Sequence, residues 1–206
     1  MLNIYNTLIT AFAIIFVIMI HELAHGYVAL YFGDTTAKLD GRLSFNPLNH
    51  LDPIGTISLI LFNFGWAKPV PVNFSRLKPK RLGAIGVSLA GCIANFLTAL
   101  IFAILLMLQN KAFPNAIYLN DFLMLVIFYS IGFGVFNLVP IPPLDGSKFV
   151  LAFLPAKYSY LASKYERYLF VLLMLLVSSG TLSRFTTPLV RFISEFIFTI
   201  AYRISI

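Results

Sequence analysis

The chain has 206 residues, of which 59% are hydrophobic and 11% are charged, and its formal net charge is +7. An ordinary soluble domain carries roughly a quarter charged residues, so the composition excludes an ordinary soluble protein and indicates a membrane protein. A single cysteine, Cys92, excludes an internal disulfide and a cluster of thiolate metal ligands.

Five apolar runs divide the chain, at residues 8–32, 82–108, 122–140, 168–177 and 189–201. The first three are near the ~20 residues that a helix needs to cross a hydrocarbon core of ~30 Å. The last two are shorter and fit either one span plus an interfacial helix or two spans. We therefore predict an all-α polytopic membrane protein with a three-helix core and C-terminal membrane helices.

The basic residues are grouped along the chain in a way that predicts its orientation. They concentrate in residues 33–81 and 147–167 and are scarce in residues 109–121. The positive-inside rule places the two basic segments in the cytoplasm, so the first helix runs from outside to inside. The positive charge therefore reflects topology, and we expect no nucleic-acid partner. One domain over residues 1–206 is predicted, with a core at 8–150 and a C-terminal membrane segment at 168–203.

Between the first two spans, residues 37–45 alternate apolar and polar, which is the pattern of a strand with one covered face. We predict a small β element at the membrane surface from this segment and residues 68–73. The run at 54–64 is too short to cross the membrane and predicts an interfacial or re-entrant segment. The sequence GWAKPVPVN at residues 65–73 favours an extended chain at the headgroup level.

Small residues recur at spacings of three and four in the second span. Gly83, Gly86, Ala90 and Gly91 lie on this helix. Such spacing lets membrane helices approach closely, so we expect the second span to pack tightly against a neighbour.

The first apolar run contains the sequence HELAH, residues 21–25. His21 and His25 project from the same face of a helix and can bind one zinc ion through their imidazole nitrogens. In H-E-x-x-H metalloproteases the glutamate, here Glu22, is the general base that takes a proton from the attacking water.

The depth of HELAH in the membrane separates it from a chance occurrence of the pattern. His21 lies ~20 Å from Leu8 along a helix and ~17 Å from Phe32. An acidic side chain at the centre of a membrane helix costs about 2.5–3.5 kcal/mol on insertion scales, so such groups usually mark a functional site.

A catalytic zinc normally has three protein ligands, so two histidines require a third. Of the eight acidic residues, all except Glu22 and Asp145 fall in loops or near helix ends. Asp145 belongs to NLVPIPPLDG, residues 137–146, where prolines stop the third helix and free backbone groups. A Pro-Asp-Gly turn leaving the membrane is the simpler alternative for Asp145. His50 is a rival third ligand, although its neighbours Asp52 and Pro53 also suit a role in organising a loop.

Asn137 lies eight residues before Asp145 on the third apolar helix. Its amide could hold a substrate carbonyl or stabilise a developing oxyanion. An interhelical hydrogen bond is nearly as good an explanation.

The sequence resembles the site-2 protease family of intramembrane metalloproteases, and three segments carry the resemblance. HELAH resembles the zinc-binding motif of the family, NLVPIPPLDG its second signature, and GVSLAGCIANF at 86–96 its core helix between them. NPLNHLDPIGT and GWAKPVPVN resemble features of the compact bacterial members, and the chain departs from better-known members because no PDZ or CBS domain is expected. The resemblance implies one zinc ion per chain with His21, His25 and Asp145 as ligands and Glu22 as base. It also implies that Asn137 and Pro142 handle substrate near the scissile bond.

The function expected from these observations is hydrolysis of a peptide bond in a transmembrane protein substrate, near the cytoplasmic side of a bacterial cell membrane. The alternative is a membrane zinc-binding protein or transporter without protease activity, which would need no general base between its ligands. The expected partners are the substrate and the lipid bilayer, and the sequence does not define the oligomeric state.

Overall fold

The computed structural model describes residues 4–50, 52, 55 and 68–206. All regular secondary structure in these ranges is helical, as predicted from the apolar runs. A 3-10 turn covers Pro47–Asn49. The α-helices are α1 (Ile4–Tyr31), α2 (Thr36–Leu39), α3 (Lys80–Ala112), α4 (Ile117–Asn137), α5 (Asp145–Leu151), α6 (Ala156–Ser178) and α7 (Thr181–Ser205).

The three predicted spans are confirmed. Helices α1, α3 and α4 are long and apolar enough to cross a membrane, and each begins a few residues before its apolar run. Helices α6 and α7 meet at an angle of 73° and pass the same test only as a bent pair. The prediction of a polytopic membrane protein therefore holds, with three spans or four among the described residues.

Helix α3 is the centre of the bundle and packs against α1, α4, α5 and α7. Its apolar face contributes Ala99, Ala103 and Leu106 to the largest buried cluster, which α4 and α7 complete. A separate cluster joins Ala13 and Val17 of α1 to α4. The small residues of α3 have the predicted effect of allowing close packing. Cβ atoms added at Gly83 and Gly86 would overlap side chains of residues that precede α3 in the sequence.

The β element predicted for residues 37–45 and 68–73 is wrong. Thr36–Leu39 form a helical turn, which Asp34 initiates by accepting hydrogen bonds from the Thr36 N–H and hydroxyl. The alternating pattern does not mark a covered face, because Leu39 and Phe45 are 76% and 65% exposed whereas Arg42 is buried. Side-chain hydrogen bonds, not a strand ladder, organise this loop.

Residues 68–73 are extended but pair with no strand among the described residues. Apart from Gly55, the predicted interfacial segment at 54–64 lies outside the described residues, as do the first three residues of GWAKPVPVN.

Candidate metal centre

Two histidines and one aspartate meet between α1, α3 and α5. One ligating atom from each of His21, His25 and Asp145 lies within 4.8 Å of the others, and all three residues are buried. Oδ2 of Asp145 is 3.0 Å from Nε2 of His21 and 2.9 Å from Nε2 of His25. The structure thus brings together the three residues for which the sequence predicts metal ligation.

Local structure explains how these side chains converge. His21 and His25 are one turn apart on α1, and their rings lie edge to face with centroids 4.6 Å apart. The chain turns at 138–144 after α4 ends, and Asp145 begins α5, where the positive end of the helix dipole favours a carboxylate. The uninterrupted helix α1 therefore contributes the two histidines, and the segment that follows the break after α4 contributes the aspartate.

The hydrogen bond of His25 shows that the arrangement fits a cation. Nδ1 of His25 lies 2.7 Å from the Val87 carbonyl oxygen, which can only accept, so Nδ1 carries a proton. A neutral imidazole then has a lone pair on Nε2, the atom that faces Asp145 Oδ2. Two lone-pair atoms 2.9 Å apart repel each other unless a proton or a metal cation lies between them. Two imidazoles and a carboxylate are a donor set that suits zinc.

His21 is enclosed by α3 in a comparable way. A Cβ on Gly91 would overlap the His21 ring, so the ring fills the space that a side chain on α3 would need. Nδ2 of Asn95 lies 3.2 Å from His21 Nδ1, and Oδ1 of this fully buried amide has no partner among the described residues. Exchanging the two amide atoms by a half-turn lets Oδ1 accept a proton from Nδ1 and leaves the Nε2 lone pair facing Asp145.

Two features fix the position of Asp145: a hydrogen bond to its second carboxylate oxygen, and the close packing of the next residue, Gly146. The Lys148 ammonium donates to Oδ1 at 2.9 Å, which leaves Oδ2 for the histidine side. A Cβ on Gly146 would overlap the Leu138 carbonyl, so only glycine permits the close approach of α5 to the end of α4.

Glu22 lies outside this group of three and is held by a different part of the chain. Its Oε2 accepts a hydrogen bond of 2.7 Å from the Val70 N–H, in the extended segment 68–73. Glu22 is only partly buried, whereas the three candidate ligands are buried. A base beside the ligands but not bound with them is what the H-E-x-x-H pattern predicts.

The extended segment is fixed to the surface loop at both ends. Arg42 Nη2 donates to the carbonyl oxygens of Lys68 and Pro69 at 2.7 and 3.2 Å. At the other end the Asn73 N–H donates to Asp34 at 2.6 Å. Burial of Asp34 acts to raise its pKa, but hydrogen bonds from Thr36 and Asn73 and the charge of Arg76 hold the pKa below its usual value.

The remaining predicted residues lie nearby with separate contacts. Asn137, the last residue of α4, is buried and donates from Nδ2 to the Phe133 carbonyl at 3.0 Å. Pro142 lies in the turn before Asp145 and lines a cavity of about 420 Å³ together with Lys148. His50 is buried in the loop after Pro47–Asn49, outside the group of three, and its Nε2 lies 2.7 Å from the Ser44 carbonyl. That contact matches the loop-organising alternative for His50.

Sequence reasoning assigned no role to Asn95, Val87 or Lys148. Asn95 carried a signal, since a buried amide on an apolar helix needs a partner. The Val87 contact uses a backbone carbonyl and has no sequence signal. Lys148 stands one turn after Asp145 on α5, a spacing that brings opposite charges together.

Comparisons with known proteins identify the relatives of the chain. The family model of Peptidase family M50 matches residues 111–179. YwhC of Bacillus subtilis, named as a zinc metalloprotease, is 40% identical over 176 residues, which cover 82% of this chain and 76% of that protein. Rip2 of Mycolicibacterium smegmatis, also named as a zinc metalloprotease, is 26% identical over 197 residues, covering 90% and 73%. No solved structure matches the chain at a significant level.

The helical bundle, its buried donor set and these relatives define a multi-pass membrane zinc metalloprotease. The chain belongs to peptidase family M50, the site-2 protease family. The resemblance seen in its motifs is thereby confirmed.

Proposed function

We propose that the chain is an intramembrane endopeptidase, folded as a single membrane-embedded domain, that cleaves a transmembrane protein substrate near the cytoplasmic side of the cell membrane. The observation that carries this proposal is the position of Glu22, whose carboxylate lies beside a buried His-His-Asp set inside a membrane-spanning helix. A zinc carrier needs ligands but no base at that position. The protease relatives favour the same choice.

Each residue of the centre has a distinct task in this proposal. His21, His25 and Asp145 would hold the zinc ion, which when bound would polarise the scissile carbonyl and activate water. Glu22 accepts a proton from the attacking water and delivers it to the leaving nitrogen. The Val70 N–H orients the Glu22 carboxylate for this transfer, because it engages one oxygen while the other has no partner in the described part of the chain.

Asn137 and Pro142 are proposed to handle substrate. Both precede Asp145 in the segment that leaves α4, and Asn137 keeps its amide oxygen for an external donor while Nδ2 is engaged with the Phe133 carbonyl. Pro142 lines the cavity next to Lys148, where an unwound stretch of polypeptide has room. A substrate helix must unwind before its carbonyl can reach the base.

The cytoplasmic side is proposed from charge and connectivity. The ends of α1 and α4 and the start of α3 meet in the two segments that carry most of the basic residues. His21, the first residue of HELAH, is ten residues from the end of α1 at Tyr31, or ~15 Å along the helix, so the site lies within the membrane but nearer this side.

The test is cleavage of co-expressed single-span membrane proteins by the wild type and Glu22→Gln. The variant should lose activity by about 10²–10⁴-fold, because the base is gone, while purified protein keeps one zinc per chain. Asp40→Asn is the matched control. It removes an exposed carboxylate at the end of α2 and should leave cleavage unchanged. Mass spectrometry of the products should place the cut near the cytoplasmic end of the substrate span.

Two results would overturn the proposal. Wild-type cleavage rates in Glu22→Gln would remove Glu22 as the base. A wild-type enzyme that cleaved soluble proteins but no membrane-embedded ones would remove the assigned substrate class.

A further inference from the structure

Helix α7 carries charged residues on an exposed face in the middle of its length. Leu182 at its start packs in a cluster with Leu144 and Leu173, at the end of the bundle where α5 begins. At its other end, Ser205 contacts Met107, and its carbonyl accepts a hydrogen bond from Lys111 near the end of α3. Helix α7 therefore runs alongside α3 across the bundle.

The charges lie far from both ends of this helix. Arg191 is nine residues after Leu182, or ~14 Å, and Glu195 is ten residues before Ser205, or ~15 Å. Both side chains are exposed, and neither forms an ion pair among the described residues. Charged side chains at such depth are costly in lipid and normally face protein or water.

The charged face is distinct from the other two faces of α7. Leu182, Ile197 and Ala201 form the buried face against the bundle. Phenylalanines that suit lipid contact form a second, exposed face: Phe185, Phe192 and Phe196 are 77%, 66% and 60% exposed. The third face, here called the polar stripe, consists of Arg184, Thr187, Arg191, Glu195 and Tyr202, which are spaced by three, four, four and seven positions, close to whole helical turns.

We propose that the polar stripe of α7 is the contact surface of a homodimer. The stripe carries both signs of charge one turn apart, so it is complementary to itself. Around a twofold axis normal to the membrane the two helices are parallel and equivalent residues lie at the same height, so Arg191 of each copy reaches Glu195 of the other diagonally, over an axial offset of ~6 Å. Two reciprocal diagonal ion pairs then form. An open hollow of about 690 Å³ follows the stripe and leaves room for the partner side chains, lined by Ser183, Arg184, Thr187, Pro188, Arg191, Phe192 and Glu195.

A second copy explains the stripe better than lipid does. Ion pairs between two copies remove the charges of Arg191 and Glu195 from contact with hydrocarbon, and no other protein is needed to form them. The polar groups of Thr187 and Tyr202 extend the contact toward both ends of the helix.

Charge reversal tests this contact in full-length, zinc-loaded protein. Arg191→Glu and Glu195→Arg each place like charges across the axis, so each should shift the dimer to a single chain by at least tenfold in the dissociation constant. The double variant restores the pairs and should dimerise like the wild type. Arg203→Glu reverses a charge of the same helix outside the stripe and is the matched control. Mass is measured by light scattering in mild detergent and in nanodiscs, with bound zinc as the check that each variant is folded.

Cysteine cross-linking in native membranes gives a second, independent measurement. Thr187→Cys should form a disulfide between copies, whereas Phe196→Cys, on the phenylalanine face, should not. The native Cys92 is buried and should contribute no cross-link.

Three results would overturn the proposal. A wild type that is a single chain in both environments would do so. So would single reversals that dimerise as well as the wild type, or cross-linking at Phe196→Cys but not at Thr187→Cys. If the wild type is a single chain and single reversals weaken substrate binding, the stripe binds substrate instead.

Discussion

The two segments that meet at the metal centre are held in place by different means. The HELAH segment is part of the uninterrupted α1, so helix geometry alone sets His21 and His25 one turn apart. Asp145 follows a broken stretch of chain, and its position depends on the contact of Gly146 with the Leu138 backbone and on Lys148. Two ligands are therefore fixed locally and one is fixed by tertiary structure.

This difference predicts that the Asp145 side is the more sensitive to a small backbone change. Gly146→Ala should lower zinc affinity by more than about a hundredfold, because the added methyl group overlaps a carbonyl and displaces a ligand itself. Gly132→Ala in α4 is the matched control, since a Cβ there meets nothing within 4 Å. Competition with a chromophoric chelator measures both affinities. Equal affinities would show that α5 can shift without moving Asp145.

The histidine side should respond to the loss of a supporting group by a smaller amount. Asn95→Ala removes the partner of His21 Nδ1 and should weaken zinc binding by about 10–100-fold. Asn95→Asp keeps an acceptor at the same place and should restore most of the affinity. If the aspartate variant is as weak as the alanine variant, Asn95 contributes packing alone.

Lys148 should have the smallest effect of the three. Its ammonium is partly solvent-exposed, so water can replace it as a donor to Asp145 Oδ1. Lys148→Met should reduce zinc affinity by less than about tenfold, and Lys148→Arg should preserve it. Lys157→Met, which removes an exposed lysine of α6, controls for the change in surface charge. A loss as large as that of Gly146→Ala would make Lys148 essential for holding the carboxylate.

The sequence was sufficient for features that depend on one stretch of chain. Apolar length predicted the three spans, and the four-residue spacing with membrane depth predicted the pair His21 and His25. Asp145 was reached because few acidic residues remained outside loops and helix ends. These predictions need no knowledge of how the helices pack.

The features that failed or were missed depend on tertiary contacts. The alternation at 37–45 was read as a strand, but Arg42 turns inward to the carbonyls of Lys68 and Pro69, an arrangement that no local period reveals. The partners of the two imidazoles lie 62 and 74 residues from them in sequence, on a helix whose rotation only packing determines. The sequence alone could not decide whether His50 is a metal ligand, since a histidine buried in a loop and one buried in a metal site can have similar neighbours in sequence.

Helix α3 contacts both imidazoles, through Val87 and Asn95, and Gly91 gives the His21 ring its place. Loading of the site and packing of α1 on α3 are therefore linked equilibria. A metal that binds only the packed pair stabilises that pair by RT ln(1 + [Zn]/Kd), which is about 4 kcal/mol at a thousandfold excess over Kd. The ion that serves the chemistry therefore also stabilises the packing of α1 against α3.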